Sequence, residues 1–224
     1  MKLSLVIPTL NEETILPLQA ASLKNLGGEV EIIVADGMSS DRTTELAHQY
    51  CWRIVAAERG RGRQMNDGAA VATGEVLLFL HADTMLPKGA GEMINEALRD
   101  SRVVGGNFRL KFSGEGWESR WLTRLYPVLR LGGMCYGDSG FFMRREIFDR
   151  VGGYREYPLF EDCDMYQRIS RMGSFVRVDG VALTSSRRFE GRFIRTFMLW
   201  IVLQALYWCG VSPERLAAYY RISR

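Results

Sequence analysis

Carboxylates crowd together at two places in this chain. One is Phe160-Glu161-Asp162-Cys163-Asp164, with three acids in four residues, and the other is the turn His81-Ala82-Asp83-Thr84, which closes the apolar run 75–80. Three acids so close repel one another and are tolerable only near water, a helix N-terminus or a cation. An N-cap accounts for one of them and leaves the others to be explained, so this cluster is a candidate for acid–base chemistry. Asp83 follows a run that reads as a buried parallel strand, which would deliver it to the carboxyl edge of a sheet. Ligands bind at that edge, and an acid there either ligates a hard divalent cation or caps the helix after Pro87; its neighbours favour the metal.

Further candidates lie around these two. Arg59-Gly60-Arg61-Gly62-Arg63 combines close backbone approach, a helix start and guanidinium groups, a combination that suits phosphate, although a solvated basic loop has the same composition. Asp36 ends a strand where it could accept hydrogen bonds from a ribose hydroxyl or base N–H, or simply brace the turn with Ser39 and Ser40. In Gly137-Asp138-Ser139-Gly140 the small residues allow a substrate close to the backbone, and Asp138 could bind a hydroxyl.

These residues need a sheet edge to hold them, and the pattern supplies one. Strands are expected at 3–7, 31–35, 53–57 and 75–80, with helices at 12–26, 42–50 and from 59–63 to 74; the alternation points to a parallel α/β sheet. The acids at 12 and 13 would sit in the first turn of their helix and suit its dipole. The first strand ends in Pro8-Thr9-Leu10-Asn11-Glu12 and not in G-x-G-x-x-G, which argues against a dinucleotide site. After Pro87 the expected elements are a helix at 88–99, a strand at 103–112 with a close approach or bulge at Gly105-Gly106, an aromatic-rich helix at 116–131 packed in the core, a strand at 141–143, and helices at 144–151 and 163–172.

With 224 residues, 47% of them hydrophobic, the chain can bury one sizeable core. Lys+Arg 29 against Asp+Glu 26 gives a formal charge of +3, which does not suggest nucleic acid. Cys51, Cys135, Cys163 and Cys209 form no C-x-x-C pair, so neither a zinc site nor a disulfide framework is indicated. The apolar run at the start is too short for a signal peptide, and a cytoplasmic protein is expected.

Several stretches, in this order, carry a family resemblance. Ser4-Leu-Val-Ile-Pro-Thr-Leu-Asn-Glu-Glu13, Ile33-Val-Ala-Asp36-Gly37 with Ser39-Ser40-Asp41, Leu80-His-Ala-Asp-Thr84, Gly137-Asp138-Ser-Gly-Phe-Phe-Met143, Gly152-Gly153-Tyr154 and Phe160-Glu161-Asp162-Cys-Asp164 resemble the family 2 glycosyltransferases of the GT-A fold. The Gly-Arg-Gly-Arg-Gln-Met-Asn66 stretch looks like a small bacterial subgroup linked to arsenosugar or carotenoid glycosylation. The resemblance implies a Rossmann-like, mostly parallel sheet flanked by helices, with a helical C-terminal tail. It implies that a nucleoside diphosphate sugar, a UDP-sugar by expectation, is held by Pro8, Thr9, Asn11, Glu12, Asp36, Arg63, Asn66, Asp83 and Arg188. Asp83 would carry Mn2+ or Mg2+, Gly137 and Asp138 would meet the acceptor, and Asp162, with Glu161 beside it, would be the base of an inverting displacement. Two departures stand out. The family's D-x-D motif reads His81-Ala82-Asp83, and the Gln-x-x-Arg-Trp of processive relatives is replaced by Ser185-Ser186-Arg187-Arg188-Phe189, so processive synthesis is not expected.

The boundary expected is a catalytic domain over 1–190 and a helical extension over 191–224. The apolar stretch 193–209 falls short of the roughly 20 residues of a membrane span. It would pack on the domain, on a second copy, or on the inner face of a membrane, with Trp200, Tyr207 and Trp208 towards lipid. Two other functions are compatible with an α/β sheet: a sugar-phosphate nucleotidyltransferase, whose basic loop normally follows the first strand and not the third, and a non-catalytic nucleotide-sugar-binding protein, which would need no Asp162.

Overall fold

The structure is a computed structural model in which residues 1–114, 116–131, 136–186 and 191–222 are described. Its first half alternates as the sequence predicts: β1 (Leu3–Thr9), α1 (Leu16–Leu23), β2 (Val30–Asp36), α2 (Thr43–Gln49), β3 (Arg53–Ala56), α3 (Arg61–Val71) and β4 (Val76–Phe79). β5 (Thr84–Met85), α4 (Ala90–Ala97), β6 (Val103–Phe112) and α5 (Trp117–Leu131) come next. They are followed by β7 (Phe141–Arg144), α6 (Arg145–Val151), α7 (Glu161–Ile169), β8 (Ser174–Thr184), α8 (Phe193–Trp208) and α9 (Pro213–Ile222). The strands form one sheet in the order β3-β2-β1-β4-β7-β6-β8-β5. β1 to β4 run parallel, β7 is antiparallel to both β4 and β6, and β8 is parallel to β6.

Successive side chains of a strand point to opposite faces, and the central strands divide the core accordingly. Leu5, Ile7 and Leu78 go to one face under α1, α4, α5 and α8, whereas Val6, Leu77 and Phe79 go to the other under α3, α6 and α7. Pro8 is tolerated inside β1 because pairing with β4 ends at Val6↔Phe79, two residues before it.

The helix expected at 12–26 starts only at Leu16, and its first turn holds no acid. Asn11 is in the left-handed region at φ 56°. The backbone N–H groups of Asn11, Glu12 and Glu13 donate to Ser39 Oγ (2.9 Å), Thr43 Oγ1 (2.8 Å) and Asp41 Oδ2 (3.1 Å), so this segment is a turn fastened to the loop after β2. The helix placed at 163–172 begins two residues earlier, at Glu161. The close approach at Gly105-Gly106 is present, since a Cβ at Gly106 would lie 2.4 Å from the Val176 carbonyl oxygen. The break expected at Gly132-Gly133 lies outside the described residues.

In the tail, Phe193 and Phe197 of α8 enter the main core, and Leu203 joins Leu216 of α9 against Phe160 and Cys163. The outer side of α8 leaves Ile194, Met198 and Val202 more than half exposed. Among the described residues no helix is long and apolar enough to cross a membrane.

Candidate active site

The three acids at the start of α7 part company. Asp164 turns to Arg168 (2.6 Å) and Arg155 (3.4 Å) and is neutralised there. Glu161, 1% exposed, pairs with Nε of Arg61 at 2.7 Å. Burial pushes the Glu161 carboxyl above its ordinary range, Arg61 opposes that, and Asp162 adds to it; Glu161 in turn holds the guanidinium of Arg61 well above its own ordinary value. Asp162 is also buried, and its Oδ2 accepts the Gly137 N–H at 2.9 Å while Oδ1 has no hydrogen-bond partner. The residue that opens the helix, Phe160, sits at φ 65°, an uncommon conformation for a bulky side chain.

A second group faces Asp162 from the turn after β4. Gln19 of α1 holds this turn by donating to the carbonyl oxygens of His81 (3.0 Å) and Thr84 (3.4 Å). Nδ1 of His81 lies 2.5 Å from Asp138 Oδ1, and its Nε2 is 3.9 Å from Asp162 Oδ2. Asp138 belongs to a one-turn 3-10 helix (Gly137–Ser139), which Asn107 fixes through Ser139 Oγ at 2.8 Å. Gly137 has no room for a side chain, because a Cβ there would come within 2.7 Å of Asp162 Oδ2 and 2.8 Å of His81 Nε2. Burial alone would push His81 down, but the hydrogen bond and charge of Asp138, helped by Asp162, outweigh it and raise the imidazole above its ordinary value, with Arg61 opposing.

These groups line a cavity of about 660 Å³, to which Glu12, Arg61, His81, Asp138, Glu161 and Asp162 contribute its charged and titratable side. Such a volume is that of a small-molecule site. A buried carboxylate held by one backbone N–H and placed beside an imidazole can take a proton from a hydroxyl brought to it.

Residues 4–152 match the family described as Glycosyl transferase family 2. The chain belongs to that family. Among its relatives, the PGL/p-HBAD biosynthesis glycosyltransferase of Mycobacterium tuberculosis (strain ATCC 25177 / H37Ra) is 29% identical over 204 residues, covering 84% of this chain and 77% of that one. The probable glycosyltransferase YdaM of Bacillus subtilis (strain 168) is 25% identical over 209 residues, covering 82% of this chain, which spans only 50% of YdaM. In fold, the mannosyltransferase PcManGT from Pyrobaculum calidifontis, solved with GDP-Man and Mn2+, superposes with a TM-score of 0.66 at 18% identity, over 90% of this chain and 61% of that one.

The family's motif residues occupy two neighbouring regions here. Glu12, Asp138, Glu161 and Asp162 line the cavity, with Gly137 directly behind Asp162. Pro8, Thr9, Asn11 and Asp36 lie at the carboxyl ends of β1 and β2 and do not line it. The Asp36 carboxylate braces its own turn, accepting from Ser39 N–H (2.8 Å), Ser39 Oγ–H (2.5 Å) and Thr9 Oγ1–H (3.1 Å). Asp83 is half-buried on the turn beside His81. Asn66 is spent on structure, its amide exchanging hydrogen bonds of 2.8 Å with the backbone of Tyr154 in both directions. Arg63 bridges the exposed Glu58 and Glu156, away from the cavity. Arg188 lies outside the described residues. The arginine that reaches the acids is Arg61, two residues before Arg63, a position the sequence reading did not single out within the Arg-Gly-Arg-Gly-Arg run. What selects it is helix phase, together with Gly62, where a Cβ would come within 2.5 Å of the Arg155 carbonyl oxygen.

The imidazole resonances of His81, followed by NMR, should titrate above the ordinary histidine range. Asp138→Asn should move that midpoint down, since the largest opposition to burial is then removed. A midpoint unchanged by the substitution would break the assignment.

Proposed function

We propose that this family 2 member is an inverting, non-processive hexosyltransferase that moves a sugar from a nucleoside diphosphate sugar to an acceptor hydroxyl, with Asp162 as general base. The observation that carries the reading is Asp162 itself: buried on the cavity wall, fixed through Oδ2 by Gly137, with Oδ1 left without a hydrogen-bond partner. In the step proposed, the acceptor hydroxyl gives its proton to Asp162, its oxygen bonds to the sugar carbon from the face opposite the diphosphate, and the bond to the diphosphate oxygen breaks. The nucleoside diphosphate leaves with that electron pair, and one displacement inverts the centre.

The donor belongs along the carboxyl ends of β1 and β2, on Pro8, Thr9, Asn11, Glu12 and Asp36, with Arg188 assigned to the diphosphate by the motif. Gly137 and Asp138 would meet the acceptor. His81, oriented by Asp138 through Nδ1, presents Nε2 to an oxygen of either substrate. Glu161 is tied to Arg61 and supports Asp162 as its neighbour. Family membership and the basic loop's place after β3 favour this reading over a nucleotidyltransferase.

The residues present suit a particular kind of metal site. Among the described residues no three His, Cys, Asp or Glu side chains converge as a cage, and Asp83 is the motif's single carboxylate. That donor set fits an Mn2+ or Mg2+ ion whose remaining ligands are the donor's phosphate oxygens and water. Such an ion, held by Asp83, would offset charge on the departing diphosphate. Two narrower assignments are proposed on sequence alone: the lack of Gln and Trp at 185–189 supports single transfer, and residues 60–66 support the small bacterial subgroup.

A further proposal concerns the outer side of α8. Ile194, Met198 and Val202 recur every four residues on its exposed side, and Trp117 and Trp121 of α5 extend that surface by packing against Phe193 and Phe197. Exposed Arg192 and Arg195 lie at its start. An apolar stripe beside arginines suits an anionic bilayer surface, which we take as its occupant.

Calorimetry with UDP- and GDP-sugars, with and without Mn2+, should identify a donor, with uracil the base expected. Asp162→Asn should then lower transfer by roughly 10²–10⁴-fold while donor affinity stays near the parent's. Glu161→Gln should be milder, and Asp83→Ala should remove the Mn2+ dependence of binding. Parent-level transfer by the Asn variant would refute the base. In vesicle flotation the protein should rise with phosphatidylglycerol-containing vesicles and not with phosphatidylcholine alone, and Met198→Asp should abolish it. Self-association without flotation would assign the stripe to a second copy.

A further inference from the structure

We infer that the acceptor is an uncharged alcohol with an extended apolar body, bound between α5, α8 and α9 with its hydroxyl at Asp162; this rests on the transferase reading above. The argument starts from the two kinds of wall in one cavity. Around Asp162 the wall is charged, but the rest is built by Phe112, Leu122, Leu129, Trp200, Leu203 and Ala217. Pro8, Thr9, Asn11, Asp36 and Asp83 do not contribute to it, and only Glu12 joins this space to the strand ends assigned to the nucleotide.

Charge narrows the choice. The carboxylates of Glu12, Asp138, Glu161 and Asp162 face the cavity, whereas its one guanidinium among the described residues, Arg61, is paired with Glu161 and its one imidazole with Asp138. Among the described residues, a phosphorylated or carboxylated acceptor would meet net negative charge there. Polarity narrows it again. A sugar acceptor needs hydrogen-bond partners for several hydroxyls, but among the described residues the side-chain polar groups of the remaining wall are Thr196 and tyrosine hydroxyls, and that of Tyr136 already donates to Gln204 Oε1 at 2.5 Å. An alcohol needs a polar partner at one end only and gains from burying the rest of its length.

The location of the apolar wall supports specificity. Thr196, Trp200, Leu203, Ala217 and Tyr220 come from α8 and α9, beyond the residues 4–152 that match the family. Half of the apolar wall at the acceptor end therefore comes from a part of the chain that the family profile does not describe, and Phe112, Leu122 and Leu129 from within the profile supply the rest.

The test uses the full chain, the donor identified above, and linear primary alcohols from butanol to dodecanol as acceptors, with glycerol, glucose and 3-phosphoglycerate for comparison. Transfer efficiency, kcat/KM, should rise about two- to fourfold with each added methylene until the cavity is filled and then level off. Ala217→Phe should move the levelling point to shorter alcohols and Leu129→Ala to longer ones, opposite shifts that loss of folding cannot produce. Donor hydrolysis with no dependence on chain length, or preferred transfer to the polar acceptors, overturns the inference and leaves the transferase reading standing. Failure to bind or hydrolyse any nucleoside diphosphate sugar overturns that reading and this inference with it.

Discussion

The ion pair between Glu161 and Arg61 is the constraint around which the site is arranged. α7 begins inside the protein with three carboxylates, and the positive end of one short helix cannot offset them all. Each is handled by a different element: Arg168 and Arg155 take Asp164, α3 sends Arg61 to Glu161, and the 3-10 turn supplies the Gly137 N–H to Asp162. Burying an ion pair costs desolvation that its attraction does not always recover, so such a pair is poor support for stability as such. Its consequence here is geometric: Glu161 and Asp164 are each turned to an arginine, and Asp162 is left facing the cavity.

The same arrangement sets the backbone requirements nearby. Gly137 must approach Asp162 and His81 within distances that exclude any side chain, and Gly62 must let α3 close on the loop at Arg155. The parallel half of the sheet brings the β1 and β2 ends together, and the hydrogen bonds from residues 11–13 to Ser39, Thr43 and Asp41 keep them so. The later helices close over the other side, with Phe160 stacked on Tyr207 of α8 at 4.7 Å. In the proposed reading, the sheet edge serves the donor, the helical enclosure serves the acceptor, and Asp162 lies where the two meet.

How much of this can be read from the residues depends on the physical signal each carries. β1, β2 and β4 are buried on both faces and read as apolar runs, so the parallel half and the place of Asp83 at its edge were legible. β8 was not predicted. Its inward positions from 178 onward are Val178, Gly180, Ala182 and Thr184; the run is too short of large apolar residues to read as a strand, and at Gly180 a Cβ would crowd Met93, Phe108 and Pro87. The start of α1 was misplaced because acids near a helix start suggest a dipole interaction, whereas Glu12 and Glu13 lie in a turn whose N–H groups are bonded to a distant loop. Within the Arg-Gly-Arg-Gly-Arg run, composition indicated an anion but could not say that helical phase points Arg61 inward to a carboxylate and Arg63 outward. Trp117 and Trp121 were expected in the core, yet they are about half exposed, with one side on Phe193 and Phe197.

The central claim is that Arg61 neutralises a buried Glu161 beside Asp162. Urea denaturation of the parent, Arg61→Met, Glu161→Gln and the double variant, at pH 5 and pH 8, tests it most directly. A carboxyl whose pKa is raised on folding contributes stability below its unfolded value and loses it as pH rises through the folded value. Arg61→Met removes the charge that opposes that rise, so the destabilisation it causes should be larger at pH 8 than at pH 5. Adding Glu161→Gln should recover most of it and abolish the extra pH dependence. A loss that is the same at both pH values and is not relieved by the Gln substitution would contradict the account.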